Sequence, residues 1–142
     1  KILFSKFLFI HRDPKRVFYS TKRIWQHAMD QLGMQITDDA TINQNIVTHY
    51  KKMHEFYESD KTFLSDEELC EISYDELKKS PVSTLRKVYE HLQLGDFSSV
   101  EPHFTSQLKK ERSYQTFSYH YDEATDAMIH TKLQEYFIKW NY

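Results

Sequence analysis

Runs of apolar residues along the chain predict two short strands. Residues 2–10 are almost continuously apolar, interrupted only by Ser5 and Lys6. This pattern is typical of an inner parallel strand that is covered on both faces. A second, shorter apolar run over residues 69–73 predicts a second strand of the same sheet. Pro14 follows the first run and is well placed at the first position of a helix, where its missing N–H costs nothing.

The remaining chain shows apolar residues at spacings of three and four, which predict helices. We expect helices over residues 14–32, 39–58, 81–94, 98–112 and 122–140. The first helix should pack on the sheet through its apolar positions, which are Val17, Phe18, Ile24, Trp25, Ala28, Met29 and Leu32. The second helix should bury a stripe made of Ile42, Ile46, Tyr50, Met53 and Tyr57.

Three helix ends carry capping signals. Ser80 precedes Pro81 and is expected to cap the helix that follows, because serine accepts hydrogen bonds from helix N-terminal amides. Gly95 suits the left-handed position after that helix. Ser98 and Glu101 have the spacing of a capping box for the next helix.

The corner between the first strand and the first helix is a candidate phosphate site. Open α/β sheets bind ligands at the carboxyl ends of their strands, and a helix N-terminus attracts anions through its dipole and unpaired amides. Arg12 lies at this corner, and Ser20 follows eight residues later, about two turns into the helix. Arginine and serine could bind one phosphate together. Alternatively, Arg12 pairs with a local carboxylate such as Asp13, and Ser20 only occupies the helix surface.

Three segments resemble sulfotransferases that use 3′-phosphoadenosine 5′-phosphosulfate (PAPS). The sequence RDPKRVFYS from Arg12 to Ser20 resembles the signature with which these enzymes bind the 3′-phosphate of the nucleotide. Residues 72–94 resemble a later part of the family, in which a strand ends in a tyrosine, here Tyr74, before a helix that opens on Pro-x-x-Thr-Leu. Residues 114–142 are similar to the tail of the bacterial-type branch, which ends in Trp-x-Tyr.

The resemblance implies a fold and a set of nucleotide-binding residues. The expected fold is α/β: a helix-rich C-terminal part of a P-loop-like sulfotransferase fold with a small parallel sheet, forming one domain over residues 1–142. Arg12 and Ser20 would bind the 3′-phosphate of PAPS, and Tyr74 would contact the nucleotide. A basic loop would also contact it, and the corresponding residues here are Lys109, Lys110 and Arg112. From the residues alone, Tyr74 is equally an ordinary half-buried tyrosine, and the basic cluster a solvated helix end.

Two departures from the family pattern qualify the basic loop. The chain lacks the Arg-Lys-Gly triplet of the cytosolic branch, and Phe117 stands where bacterial relatives often have a polar residue.

The family also holds the 5′-phosphosulfate in a loop at an earlier strand-helix turn. This chain has two glycines, Gly33 and Gly95, and neither lies in such a loop. We therefore expect this sequence to provide the 3′-phosphate half of the site, to lack the N-terminal 5′-phosphosulfate-binding part, and to leave the catalytic residues unassigned.

Composition narrows the classes of function. A net charge of −2 argues against general nucleic-acid binding, and 22 aromatic residues in 142 favour a folded domain. Cys70 is the single cysteine and is expected to be buried and inert. The eight histidines show no metal-ligand spacing, so no metal is expected. No signal or transmembrane segment is visible, which leads us to expect a cytoplasmic protein, while the oligomeric state stays open.

Two competing functions were weighed against sulfuryl transfer. His11, Arg12 and Asp13 superficially resemble a kinase catalytic loop, but Phe18 stands where that loop needs asparagine and no Asp-Phe-Gly follows. The other competitor is a non-catalytic helical module that binds a nucleotide or another protein. For a sulfotransferase, the acceptor would be a hydroxyl or amine on a small molecule, lipid or carbohydrate.

Overall fold

The computed structural model describes residues 5–32, 37–111, 119 and 121–142. Its contacts group the chain into two compact units. One comprises Lys1–His11 and Asp60–Ser118 and contains both strands, so we call it the sheet unit. The other comprises Arg12–Ser59 and Tyr119–Tyr142, and we call it the helical unit.

The sheet unit is built on two parallel strands. Strand β1 (Phe7–His11) pairs with β2 (Leu69–Ser73) in a register that sets Phe7 opposite Leu69 and His11 opposite Ser73. The predicted second strand is confirmed at both ends. Because the strands are parallel, their carboxyl ends lie side by side at His11 and Ser73.

The side chains of β1 are more exposed than its apolar sequence predicts. Phe7, Leu8 and Ile10 are 45%, 39% and 44% exposed, so the expectation of a strand covered on both faces is wrong for this structure. The physical reason is the position of the helix that covers the sheet. The buried cluster on one face joins Cys70 and Ile72 of β2 to helix residues, while the adjacent positions of β1 stay outside it.

Two helices follow β2, and the sequence analysis predicted only one of them. Helix α3 (Tyr74–Lys79) begins directly after the strand, and α4 (Pro81–His91) follows it. The Ser73 hydroxyl accepts the Glu76 amide at 3.0 Å and caps α3. Ser73 and Glu76 have the Ser-x-x-Glu spacing of a capping box, a signal that could have identified this helix.

The ends of α4 differ from the prediction. Ser80 occupies the N-cap position, but its hydroxyl makes no capping bond, and its backbone (φ −142°, ψ 62°) lies outside the extended region usual for an N-cap. The same residue ends α3, where its amide donates to the Glu76 carbonyl at 2.9 Å. The helix ends at His91 rather than at residue 94. Positive φ angles then occur at Gln93 (53°) and Gly95 (99°), so the turn uses two left-handed residues instead of glycine alone.

An aromatic cluster completes the sheet unit. A 3₁₀ turn (Phe97–Ser99) precedes helix α5 (Glu101–Glu111), and the Phe97 and Phe104 rings stack at 6.0 Å. The turn is capped by Asp96, whose carboxylate accepts the Ser98 amide at 2.9 Å. The predicted capping role of Ser98 is therefore wrong, since this serine is the donor to the cap.

The helical unit packs α1 (Pro14–Leu32), α2 (Asp39–Lys61) and α6 (Glu123–Trp140) around one core. The predicted bounds of α1 are confirmed. Its apolar face, assigned to the sheet in the prediction, enters the core formed with α2 and α6. The buried members of this core are Phe18, Tyr19, Ile42, Ile46, Val47, Tyr50, Ile129 and Leu133.

Three apolar positions predicted to be buried are exposed in this unit. Ile24 and Leu32 of α1 are 62% and 70% exposed, and Met53 of α2 is 49% exposed. His54, at 3%, is buried instead of its neighbour Met53. Its ring lies 4.6 Å from that of Tyr136, so aromatic contacts with α6 select the polar residue for the interior.

These elements confirm a helix-rich α/β fold with a small parallel sheet. Cys70 is buried, as predicted, and burial raises the pKa of its thiol. Within the residues described, no helix has the length and apolar character needed to cross a membrane.

Candidate functional site

The corner after β1 is shaped by Asp13, which caps α1. The Asp13 carboxylate accepts a hydrogen bond from the Lys15 amide at 2.8 Å, and the Asp13 backbone carbonyl accepts one from the Val17 amide at 3.1 Å. Pro14 lies between them at the first helical position and has no amide to satisfy. The prediction of unpaired amides at this helix end therefore needs correction, since Asp13 binds one of them. An anion at this corner must depend on side chains more than on backbone amides.

Arg12 and Ser20, the two residues predicted to bind phosphate, both belong to the helical unit. Both are partly buried. Ser20 lies in the second turn of α1, about 9 Å along the helix axis from Pro14 at 1.5 Å per residue. Its hydroxyl makes no hydrogen bond within the described part of the chain. A partly exposed hydroxyl of this kind can donate to an anion at little cost.

Two lysines of α1 bind carboxylates of the neighbouring helices. Lys15 lies 2.5 Å from the Asp126 carboxylate of α6, and Lys22 lies 2.9 Å from Asp39 of α2. Lys22 lowers the pKa of Asp39 by donating a hydrogen bond to it. These two lysines are therefore not simply solvated. They hold the helices of the unit together, and their charges are already neutralised.

Tyr19 connects the same carboxylate to the start of α6. Its hydroxyl donates to Asp126 at 2.9 Å and accepts the Asp122 amide at 3.1 Å. The side chain is 8% exposed, and burial raises the pKa of the phenol. Tyr19 and Asp126 are 107 residues apart, so nothing in the local sequence pattern could have revealed this network.

Tyr74 lies in the sheet unit, at the first position of α3. It is partly buried, and it directly follows Ser73, which is paired with His11 across the two strands. Burial lowers the pKa of His11 below its usual 6.5, while Glu71, Asp75 and Glu76 oppose this shift. The carboxyl edge of the sheet therefore favours an uncharged His11 beside several carboxylates.

The predicted basic loop is described only in part. Lys109 and Lys110 lie in the last turn of α5 and are exposed, a position that the helix dipole favours for cations. Arg112 lies outside the described residues. The structure thus places Arg12 and Ser20 in one unit, and Tyr74, Lys109 and Lys110 in the other.

The comparison with known families identifies the chain. A model of the sulfotransferase family matches residues 5–99, about two thirds of the sequence. The chain belongs to the sulfotransferase family. The matched segment contains Arg12, Ser20 and Tyr74 and ends before the basic cluster at the end of α5.

Nearly the whole chain is similar in sequence to two mycobacterial sulfotransferases. It is 25% identical over 138 residues to the omega-hydroxy-beta-dihydromenaquinone-9 sulfotransferase Stf3 of Mycobacterium bovis and to that of Mycobacterium tuberculosis. The alignment covers 97% of this chain and 36% of each relative, so the chain spans about a third of their length. No solved structure gives a significant match.

The part of the chain that the structure describes holds no group of three or more metal-ligating side chains. The donor groups at the β1–α1 corner are a guanidinium and a hydroxyl, which suit a phosphate. What the corner can do chemically is therefore bind and orient an anion.

Proposed function

We propose that this chain binds the 3′-phosphate end of PAPS in a sulfotransferase that transfers the sulfuryl group to a hydroxyl or amine acceptor. The observation that supports the proposal is that Arg12, at the strand-helix corner, and Ser20, in the second turn of α1, lie in the same unit and inside the segment matched by the family. Ser20 has a hydroxyl available for an anion, and Arg12 supplies a planar donor for two phosphate oxygens.

The proposed reaction is an in-line displacement at sulfur. The acceptor oxygen or nitrogen forms a bond to sulfur, the bond from sulfur to the bridging oxygen breaks, and adenosine 3′,5′-bisphosphate leaves. A general base takes the acceptor proton. Arg12 and Ser20 address the other end of the nucleotide in the family's geometry, so they contribute positioning and affinity more than stabilisation of the transition state. The catalytic base is not assigned to a residue of this chain.

Further contacts are proposed outside the corner. Tyr74 would contact the nucleotide, and Lys109, Lys110 and Arg112 would place positive charge near it. Among possible acceptors, the relatives' name favours a lipid that carries a hydroxyl group. A non-catalytic nucleotide-binding or protein-interaction module is the alternative, and a sulfate-transfer assay of a protein that also contains the 5′-phosphosulfate-binding part distinguishes the two.

The proposal is tested by replacing Arg12 and Ser20 separately. Arg12→Ala should weaken binding of adenosine 3′,5′-bisphosphate by about 2–3 kcal/mol, roughly 30- to 150-fold, because it removes a charge-assisted hydrogen bond. Ser20→Ala should cost about 1 kcal/mol, as expected for a neutral donor. Titration calorimetry gives both values. If both variants bind the nucleotide as the parent does, the corner is not the phosphate site.

A further inference from the structure

Helix α1 separates its four cationic side chains onto two faces. At 100° per residue, positions seven apart are nearly in line, so Lys15 and Lys22 share one face, while Arg16 and Arg23 share another. Ser20 lies four residues after Arg16 and three before Arg23. It therefore lies on the arginine face and not on the lysine face.

The two faces differ in what their charges do. The side chains of Lys15 and Lys22 are 25% and 16% exposed, and each forms an ion pair with a neighbouring helix. Arg16 is exposed, and its guanidinium makes no ion pair or side-chain hydrogen bond within the described residues. The lysines are thus committed to holding the unit together. The positive charge of Arg16 is available to a ligand.

The direction of the Ser20 side chain brings its hydroxyl toward Arg16. Helical side chains lean toward the N-terminus, so the Ser20 hydroxyl points toward the turn that contains Arg16. The two residues are about 6 Å apart along the axis, a separation that a long arginine side chain spans. An anion held by Ser20 would therefore lie within reach of the Arg16 guanidinium.

We propose that Arg16 is a further phosphate-binding residue, which favours a nucleotide carrying a 3′-phosphate over one without it. This inference rests on the proposed 3′-phosphate site, because Ser20 and Arg12 define where the phosphate lies. A second guanidinium offers more donors to a doubly charged phosphate than Arg12 and Ser20 provide alone. Arg16 acts by binding and takes no part in the sulfuryl transfer.

The test compares two nucleotides with two variants of the purified protein. Arg16→Gln should bind adenosine 3′,5′-bisphosphate roughly tenfold more weakly, as expected for loss of a charge-assisted contact, and adenosine 5′-monophosphate as the parent does. Lys132→Gln is the matched control, since it removes one exposed positive charge from α6 in the same unit. It should leave both affinities unchanged. Calorimetry at near-physiological ionic strength limits the contribution of distant charges.

Each contrary outcome has a distinct meaning. If Arg16→Gln binds both nucleotides like the parent while Arg12→Ala binds the bisphosphate more weakly, the proposed role of Arg16 is wrong and the proposed function stands. If Arg16→Gln and Lys132→Gln weaken the binding of both nucleotides equally, Arg16 acts only through the net charge of the protein, which also overturns the inference. If Arg12→Ala and Ser20→Ala have no effect, the proposed function itself fails.

A second variant keeps the test decisive if Arg16→Gln loses helix content by circular dichroism. Arg16→Lys keeps a good helix former and the charge but loses the planar donor fork. We expect roughly threefold weaker binding of the bisphosphate by this variant, in keeping with loss of one of two parallel hydrogen bonds. Unchanged binding by a folded Arg16→Lys protein would overturn the proposal that the guanidinium donors of Arg16 bind the phosphate.

Discussion

The network of Lys15, Tyr19 and Asp126 provides a direct test of how α1 is held in the helical unit. Asp126 accepts from Lys15 at 2.5 Å through one carboxylate oxygen and from Tyr19 at 2.9 Å through the other. The perturbation is Asp126→Ala, which removes both contacts at once. We expect this variant to be less stable than the parent.

The expected loss is the sum of two contributions. The ion pair is partly exposed, with side chains 25% and 22% accessible, so it contributes about 0.5–1 kcal/mol. The Tyr19 hydrogen bond has a charged acceptor and a buried donor, so its removal costs about 1.5–3 kcal/mol. Alanine recovers a few tenths of a kcal/mol through its helix propensity, roughly 0.5. Asp126→Ala should therefore destabilise the protein by about 1.5–3.5 kcal/mol.

The assay is urea unfolding followed by circular dichroism, with Glu135→Ala as the control. Glu135 is on the same helix and lies 3.6 Å from Lys51, but the two side chains are 66% and 44% exposed. An ion pair this exposed contributes little, so the control should lose less than about 0.5 kcal/mol. If Asp126→Ala loses no more than Glu135→Ala, the network does not stabilise α1.

A double-mutant cycle separates the two contacts of Asp126. Tyr19→Phe alone should cost about 1.5–3 kcal/mol, because it removes the hydrogen bond to Asp126 and the Asp122 amide also loses its acceptor. Combined with Asp126→Ala, it should cost less than the sum of the single changes, since both remove the same hydrogen bond. Strict additivity would show that the Tyr19–Asp126 bond contributes nothing.

Two further predictions concern the sheet unit. Tyr74→Phe should weaken binding of adenosine 3′,5′-bisphosphate. It should leave the thermal midpoint of unfolding within a few degrees, because it removes only a hydroxyl from a partly buried residue. A large loss of stability with unchanged binding would assign Tyr74 to the core. NMR titration of His11 should give a pKa below 6.5, because burial disfavours the charged ring, and Glu71→Gln should lower it further by removing an opposing carboxylate. The sign for stability follows: the unfolded chain binds the His11 proton more tightly, so this contribution is complete above pH 6.5 and is lost as the pH falls through the folded pKa. A His11 pKa at or above 6.5 would contradict the burial of the ring.

Elements with local signals were predictable from the sequence. Pro14 fixed the start of α1, and the apolar run at residues 69–73 gave the bounds of β2. Helix α3 has a local signal too, the Ser73–Glu76 spacing of a capping box. The proposed phosphate-binding motif is also local, because Arg12 and Ser20 are only eight residues apart in the sequence. For this reason, family membership was accessible before the fold was known.

The sequence by itself determined where helices and strands begin, since a proline, a cap or a periodic run acts on its own neighbourhood. Only the tertiary structure decided which polar side chains form ion pairs or become buried. Lys15 binds a carboxylate 111 residues away, while the next residue, Arg16, stays exposed. Similarly, His54 is buried and Met53 is not, because Tyr136 of α6 packs on the histidine ring. These differences depend on contacts between segments that are distant in the sequence, and the local pattern of apolar and polar residues does not predict such contacts.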